Sequence, residues 1–175
     1  MATLLGVLVL GSLPGLFIGI GVSLMLLIYR ASRPYVAELG RTPGPGGAYH
    51  DIERHRDARA PDAVIVLRIE SGLYFANAEN VRSRITETAS AAGVRAVVID
   101  AETTPFVDVS AARMLVAVHD ELQASGIRLV LARTVGQVRD VLSCVTEDDD
   151  LIGSYPTIAS GLEAVGARPD ALESS

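Results

Sequence analysis

The chain opens on 29 residues without a charged side chain, closed by Arg30 and Arg33. As one helix rising about 1.5 Å per residue, that run reaches roughly 40 Å, longer than the ~30 Å hydrocarbon core of a bilayer. Gly11-Ser12-Leu13-Pro14-Gly15 interrupts it. Proline between glycines kinks a helix or ends one and starts another, so the run predicts one kinked span or a second helix from about Pro14 to Tyr29. No basic residue precedes the run and no A-x-A-like cleavage site follows it, which favours a membrane segment over a secretory signal. Arg30, Arg33 and Arg41 place its C-terminal side in the cytoplasm by the positive-inside bias. Gly15, Gly19 and Ser23 recur every fourth residue, a small-residue stripe that lets another helix pack closely. Glycine is common in membrane helices anyway; two consecutive steps tilt the reading towards helix packing.

From residue 62 the pattern changes to that of a water-soluble α/β domain. Ala63 to Ile69 is a β-branched run and predicts a buried strand, with Leu73-Tyr74-Phe75 as a short second strand. Asn77 is placed to cap a helix from Ala78 to about Ala91, with Gly93 ending it. Val94 to Asp100 (VRAVVID) lacks alternation, as a strand buried on both faces does. After Thr103-Thr104-Pro105 and Phe106 to Ser110, a helix runs to about Ser125. It carries Ala111, Leu115, Val118 and Leu122 inward and Arg113, Asp120 and Glu121 outward. Arg128 to Ala132 predicts a strand, Val135 to Cys144 a short amphipathic helix, and Thr146 to Asp150 an acidic loop. A short strand at Ile152 to Tyr155 and a helix from Thr157 to Val165, exposing Ser160 and Glu163, complete the order β-β-α-β-α-β-α-(β)-α. Alternating strands and helices predict a mostly parallel sheet flanked by helices.

Between the two regions, residues 34–61 hold Pro34, Pro43, Pro45 and Pro61 with Gly40, Gly44, Gly46 and Gly47, a density that predicts a connector. No Lys-Ser/Thr follows the glycines and no strand precedes them, so they form no phosphate loop. His50, Asp51, Glu53 and His55 are read there as solvated polar residues rather than metal ligands. The expected organisation is a transmembrane segment over 1–33, a linker over 34–61, a cytoplasmic domain over 62–167 and a disordered tail over 168–175.

Charge narrows the function. A net charge of −6 lacks the basic footprint that nucleic acid requires, and a sequence without tryptophan and with few aromatics disfavours base stacking. The single cysteine, Cys144, fits a reducing compartment and is expected as a small buried side chain. His119 is expected on an exposed helix face beside Asp120. No G-x-S-x-G, HExxH, CxxC or Walker pattern occurs, so neither enzymatic chemistry nor a cofactor is expected. The one local pattern with chemical promise is Asp108-Val109-Ser110-Ala111 at a strand-to-helix junction. A phosphate on Ser110 would meet the free backbone N–H groups and dipole of a helix start. Simple capping by Ser110 or Asp108 uses the same residues and is the commoner outcome.

These pieces together resemble a family. The VRAVVID strand, the D-V-S-A junction at Asp108 to Ala111, the RLVLAR strand at Arg128 to Arg133 and the Tyr155-Pro156-Thr157 helix start resemble the STAS domain. Ser23 to Pro34 (SLMLLIYRASRP), Leu39 to Gly44, Tyr49 to His55 and Leu73 to Glu79 (LYFANAE) resemble bacterial SulP-type anion transporters. The resemblance implies that residues 1–29 correspond to the end of a transporter membrane domain and residues 62–167 to its cytoplasmic STAS domain. The large membrane domain holding the anion site has no counterpart here, so the expectation is a truncated or split transporter, insufficient for transport alone. The implied partners are the membrane, a transporter membrane domain or another subunit. In free-standing anti-sigma factor antagonists the serine matching Ser110 is phosphorylated by a partner kinase; here Ala111 replaces the glycine that follows it. That leaves a membrane-anchored antagonist, bound by an anti-sigma kinase, as the alternative. Nucleotide binding is suggested for such domains, but no residue here places a pocket.

Overall fold

The computed structural model describes residues 12–44, 47–146 and 151–167, in two units divided between Arg33 and Pro34. The first unit is one helix, α1 (Ser12–Ala31). Pro14 lies in its first turn, where a missing N–H breaks no helical bond. Leu13–Ala31 is long and apolar enough to cross a membrane, at roughly 30 Å, and almost none of it is buried by the chain itself. Ser12 to Gly15 of the expected break are helical within α1, which covers the helix expected from about Pro14 to Tyr29; residues 1–11, where any preceding helix would end, lie outside the described residues.

The second unit is a six-stranded mixed sheet with helices on both faces. Its elements are β1 (Val36–Arg41), β2 (Tyr49–Asp51), β3 (Val64–Ile69), α2 (Ala78–Ala89), β4 (Ala96–Asp100), α3 (Val109–Ala124), β5 (Arg128–Ala132), α4 (Gly136–Val145), β6 (Ser154–Tyr155) and α5 (Ile158–Ala164). The strand order is β2-β1-β3-β4-β5-β6. β3 to β6 run parallel, while β1 is antiparallel to β3 and β2.

The central strands carry two hydrophobic layers, as their unalternating sequences require. Ile65, Leu67, Ile69, Val97, Ile99, Leu129 and Leu131 pack with buried residues of α2, α3 and α4. Val64, Val66, Ala96, Val98, Val130 and Ala132 pack instead with Ile158 and Leu162 of α5 and with Ala37 and Leu39 of β1.

Several expectations need correction. Residues 34–61 are not merely a connector: β1 and β2 form a hairpin that extends the sheet, and Leu39 is fully buried. Gly40 permits this, because a Cβ there would lie 2.7 Å from Ile52 Cγ2 and 2.8 Å from the Arg59 backbone. Leu73 to Phe75 is no strand. It makes a single bridge, Leu73 to Val107, and then turns into α2. Asn77 stands at the N-cap of α2 without a capping bond. Its buried side chain instead accepts from the Tyr74 N–H at 3.0 Å and donates to the Gly72 carbonyl at 2.8 Å, which fixes the preceding loop. α2 ends at Ala89 with Ser90 as its C-cap, and Gly93 takes the positive φ in the turn beyond. His119 is buried rather than exposed, with Nδ1 3.3 Å from Asp120 Oδ1, and Cys144 is exposed rather than buried. Glu147 to Asp150 of the acidic loop and the tail from residue 168 lie outside the described residues.

Candidate docking and switch site

The strand-to-helix junction is built by Asp108. Its backbone is extended, and its Oδ1 accepts from the Ala111 N–H at 2.8 Å, which makes Asp108 the N-cap of α3. Its Oδ2 accepts from the Phe75 N–H at 2.8 Å, and its own N–H donates to the Leu73 carbonyl. One carboxylate thus joins the start of α3 to the loop before α2. Ser110, in the first turn of α3, is exposed and its hydroxyl has no hydrogen-bond partner among the described residues.

Exposed apolar groups surround this junction. Phe75 is 76% exposed, and Phe106 and Val109 are also exposed. Tyr74 bridges the two phenylalanines, edge-on to Phe75 and stacked on Phe106, each at 6.2 Å between centroids. Gly72 makes room for the Phe106 ring, since a Cβ there would lie 2.3 Å from it. Sequence periodicity missed this patch because its members come from two loops. The signal was the aromatic pair Tyr74-Phe75 and the lone Phe106, each beside a turn.

On α1, Gly19 and Ser23 line a shallow concavity with Leu16, Ile20, Leu24 and Leu27. Gly15, the third residue of the predicted stripe, is not among its lining residues; it is buried within its own unit.

Two further clusters escaped the sequence reading. At the C-terminal ends of the parallel strands, Arg68 and Asp100 are register partners, and Arg133 follows β5. Asp100 is fully buried. Its Oδ2 accepts from Arg68 Nε and Arg133 Nη2, both at 2.6 Å, and its Oδ1 from Arg133 Nε at 2.9 Å and the Glu102 N–H at 3.2 Å. Arg133 Nη1 lies 2.7 Å from Glu102. Arg133 holds a left-handed backbone at φ 55°, a local cost that the bidentate pair offsets. The legible signal was a charge at the end of each of two apolar strands.

The second cluster lies at the start of the sheet unit. The Tyr35 hydroxyl donates to Asp51 at 2.7 Å and to Glu53 at 3.3 Å, and the Arg54 guanidinium sits 5.3 Å from the Tyr35 ring. The Asp51 hydrogen bond, then desolvation and the nearby charges, push the Tyr35 hydroxyl up to about 12. Burial raises the Asp51 carboxyl, but the Tyr35 and Glu53 hydrogen bonds and the Arg54 charge outweigh it and hold the group below its usual range. The His50 and His55 rings lie 4.5 Å apart between centroids, tilted at 42°, while Asp51 and Glu53 serve Tyr35 instead.

Comparison with known proteins matches the geometry to one class. Residues 55–161 match the STAS domain model, and the chain belongs to that family. Its curated relatives are membrane transporters. The chain is 29% identical over 175 aligned positions to "Sulfate transporter 1.3" of Arabidopsis thaliana, covering 94% of this chain and 26% of the relative. It is 33% identical to a "Probable sulfate transporter" of Mycobacterium tuberculosis, covering 90% of this chain and 29% of the relative. The chain therefore spans about a quarter of the length of the curated relatives it matches. Among solved structures, the murine Slc26a9 anion transporter in its inward-facing state superposes with a TM-score of 0.80 at 19% identity, over 94% of this chain and 27% of that one. A Thermotoga maritima protein described as an anti-sigma factor antagonist superposes at 0.56 and 20% identity, over 62% of this chain and 92% of its own. These two share the fold.

Proposed function

We propose that the chain is the membrane-tethered STAS module of a SulP-type inorganic anion transporter, acting by docking and regulation rather than by carrying the anion itself. One observation carries this reading. The alignment with the Arabidopsis sulfate transporter covers 94% of the chain, leaving only about ten of its residues unmatched, too few to leave out α1. A sheet domain with an unrelated anchor has no reason to align through its helix.

The mechanism follows from the parts. α1 spans the bilayer, with Arg30 in its last turn and Arg33 just beyond, on the cytoplasmic side with the sheet unit. Its Gly19 and Ser23 surface packs against a helix of the transporter's membrane body, where small residues let backbones approach. A substrate site at the bilayer midplane is built between repeats of broken helices, so the anion path belongs to that body and transport needs both. The STAS unit meets the body or another subunit through the Ser110 surface and the outer side of α3, and biases its conformations.

Ser110 supports a second reading, a membrane-anchored anti-sigma factor antagonist. Because Asp108 already caps α3, the Ser110 hydroxyl is free for a partner kinase, and a phosphate there would be stabilised by the helix start.

Co-expression distinguishes the two. The tagged chain is expected to co-purify with the membrane domain of a sulfate-transporter relative, and Gly19→Leu with Ser23→Leu to reduce recovery several-fold. Unchanged recovery with both leucines present counts against packing through α1.

A further inference from the structure

Arg68 and Arg133, held from behind by the buried Asp100, form one wall of a cleft of about 310 Å³ lined also by Ala48, Tyr49, Thr157, Ile158 and Ala159. The balance of donors and acceptors at this wall decides what the cleft can hold. Asp100 is saturated, since its two oxygens already accept from Arg68, Arg133 and the Glu102 N–H. Arg133 spends Nε and Nη2 on Asp100 and Nη1 on Glu102. Arg68 spends only Nε; its Nη2 is 3.8 Å from Glu102, too long for a hydrogen bond, and Nη1 has no partner among the described residues. The unspent capacity is therefore donor capacity, held in the planar fork that suits an oxyanion.

The remaining walls limit the size and kind of ligand. Ala48, Tyr49, Ile158 and Ala159 add no charge and Thr157 adds one hydroxyl, so recognition in this small cleft rests on the arginines. Glu102 at the rim is half exposed, with 52% of its side chain accessible, and can swing into solvent when an anion takes its place at Arg133. Asp100 is fully buried and stays, so the arginines remain aimed.

We propose that this cleft is a binding site for a small inorganic oxyanion of the sulfate or phosphate class, held by Arg68 and Arg133. It is a site in the sheet unit, separate from any transport path, and it does not depend on how α1 packs. Ala48 and Tyr49 belong to the β1–β2 hairpin, and Thr157 to Ala159 to the start of α5. An occupant therefore ties the hairpin that follows the membrane helix in sequence to the far side of the sheet. Occupancy stiffens the hairpin, giving the domain a sensor for its own ion.

The test is isothermal titration of the full chain in detergent micelles with sodium sulfate and, separately, sodium phosphate, at ionic strength held constant with sodium chloride. The expected result is saturable binding with a Kd on the order of a millimolar, the range of a few charge-assisted contacts. Arg68→Gln is expected to weaken it at least tenfold. Ala159→Leu fills the cleft while leaving every ion pair intact, and is expected to abolish binding even if Arg68→Gln perturbs folding. Whichever of the two anions binds more tightly identifies the ion, and either order supports the site. A folded chain that binds neither anion up to 50-fold above the expected ~1 mM range overturns the proposal, as does binding that Ala159→Leu leaves unchanged.

Discussion

At the residue scale, Asp100 decides how the C-terminal edge of the sheet is built. Two arginines from neighbouring strands converge on a carboxylate with no solvent access. Breaking a buried pair from one side leaves charge uncompensated, at a cost of about 3–5 kcal/mol. Asp100→Asn is expected to lose about 3 kcal/mol in chemical denaturation of the full chain, with Glu102→Gln losing less than about 1 kcal/mol because Glu102 is half exposed. Tyr35 has a signed pH dependence. Its folded value is raised to about 12, so its contribution is complete below about 10 and is lost as pH rises towards 12. Asp51 is lowered, so its contribution holds above its unfolded value and fades as acid protonates it. Hydrogen-exchange protection in the β1–β2 hairpin should therefore fall at both extremes, and Tyr35→Phe should remove the alkaline limb and weaken the acid limb, because the Tyr35 hydroxyl is also a bond that lowers Asp51. Neither the Tyr35–Asp51 pair nor the convergence of Arg68 and Arg133 on Asp100 could be read from the sequence, although the charges at the strand ends were visible there. Their partners lie 16 to 33 residues apart, and only strand register brings them together.

At the element scale, the patterned segments were readable and the unpatterned ones were not. β3, β4 and β5 announce themselves by apolar runs, and α3 by Ala111, Leu115, Val118 and Leu122, all of which are buried. β1 was hidden because its short run, Val36 to Arg41, sits among prolines and glycines that mark loops elsewhere. Leu73 to Phe75 misled in the opposite direction. Its apolar residues suggest a strand, but their backbone groups are spent on Phe106, Asp108 and Asn77. Cys144 misled because it lies on the outer side of a helix whose buried residues are Val138 and Leu142. The hairpin depends on Gly40, where a methyl group meets the Arg59 backbone as well as the Ile52 side chain. Gly40→Ala is expected to cost about 1–3 kcal/mol and to release the hairpin first, seen as rapid exchange of the Leu39 and Arg41 amides. Gly72→Ala meets only the Phe106 ring. It should leave the fold intact while moving the exposed aromatic patch, and so weaken docking more than stability.

At the scale of the whole molecule, an apolar helix and a STAS unit share one chain with the sulfate transporters they align to. In the proposed reading, the junction at Asp108 and Ser110 is where that unit would be both held and switched. A negative charge at Ser110 adds to Asp108 beside the exposed patch formed by Phe75, Phe106 and Val109. Ser110→Glu is expected to change co-purification with the membrane body at least threefold without altering thermal stability by more than a few degrees. The most direct measurement is sulfate uptake into proteoliposomes holding the membrane domain of a sulfate-transporter relative, with and without this chain. Adding the chain is expected to change the uptake rate several-fold, Gly19→Leu with Ser23→Leu to reduce that change, and the chain alone to move no sulfate. Uptake unaffected by the chain, at a ratio where every membrane domain can be occupied, would contradict it.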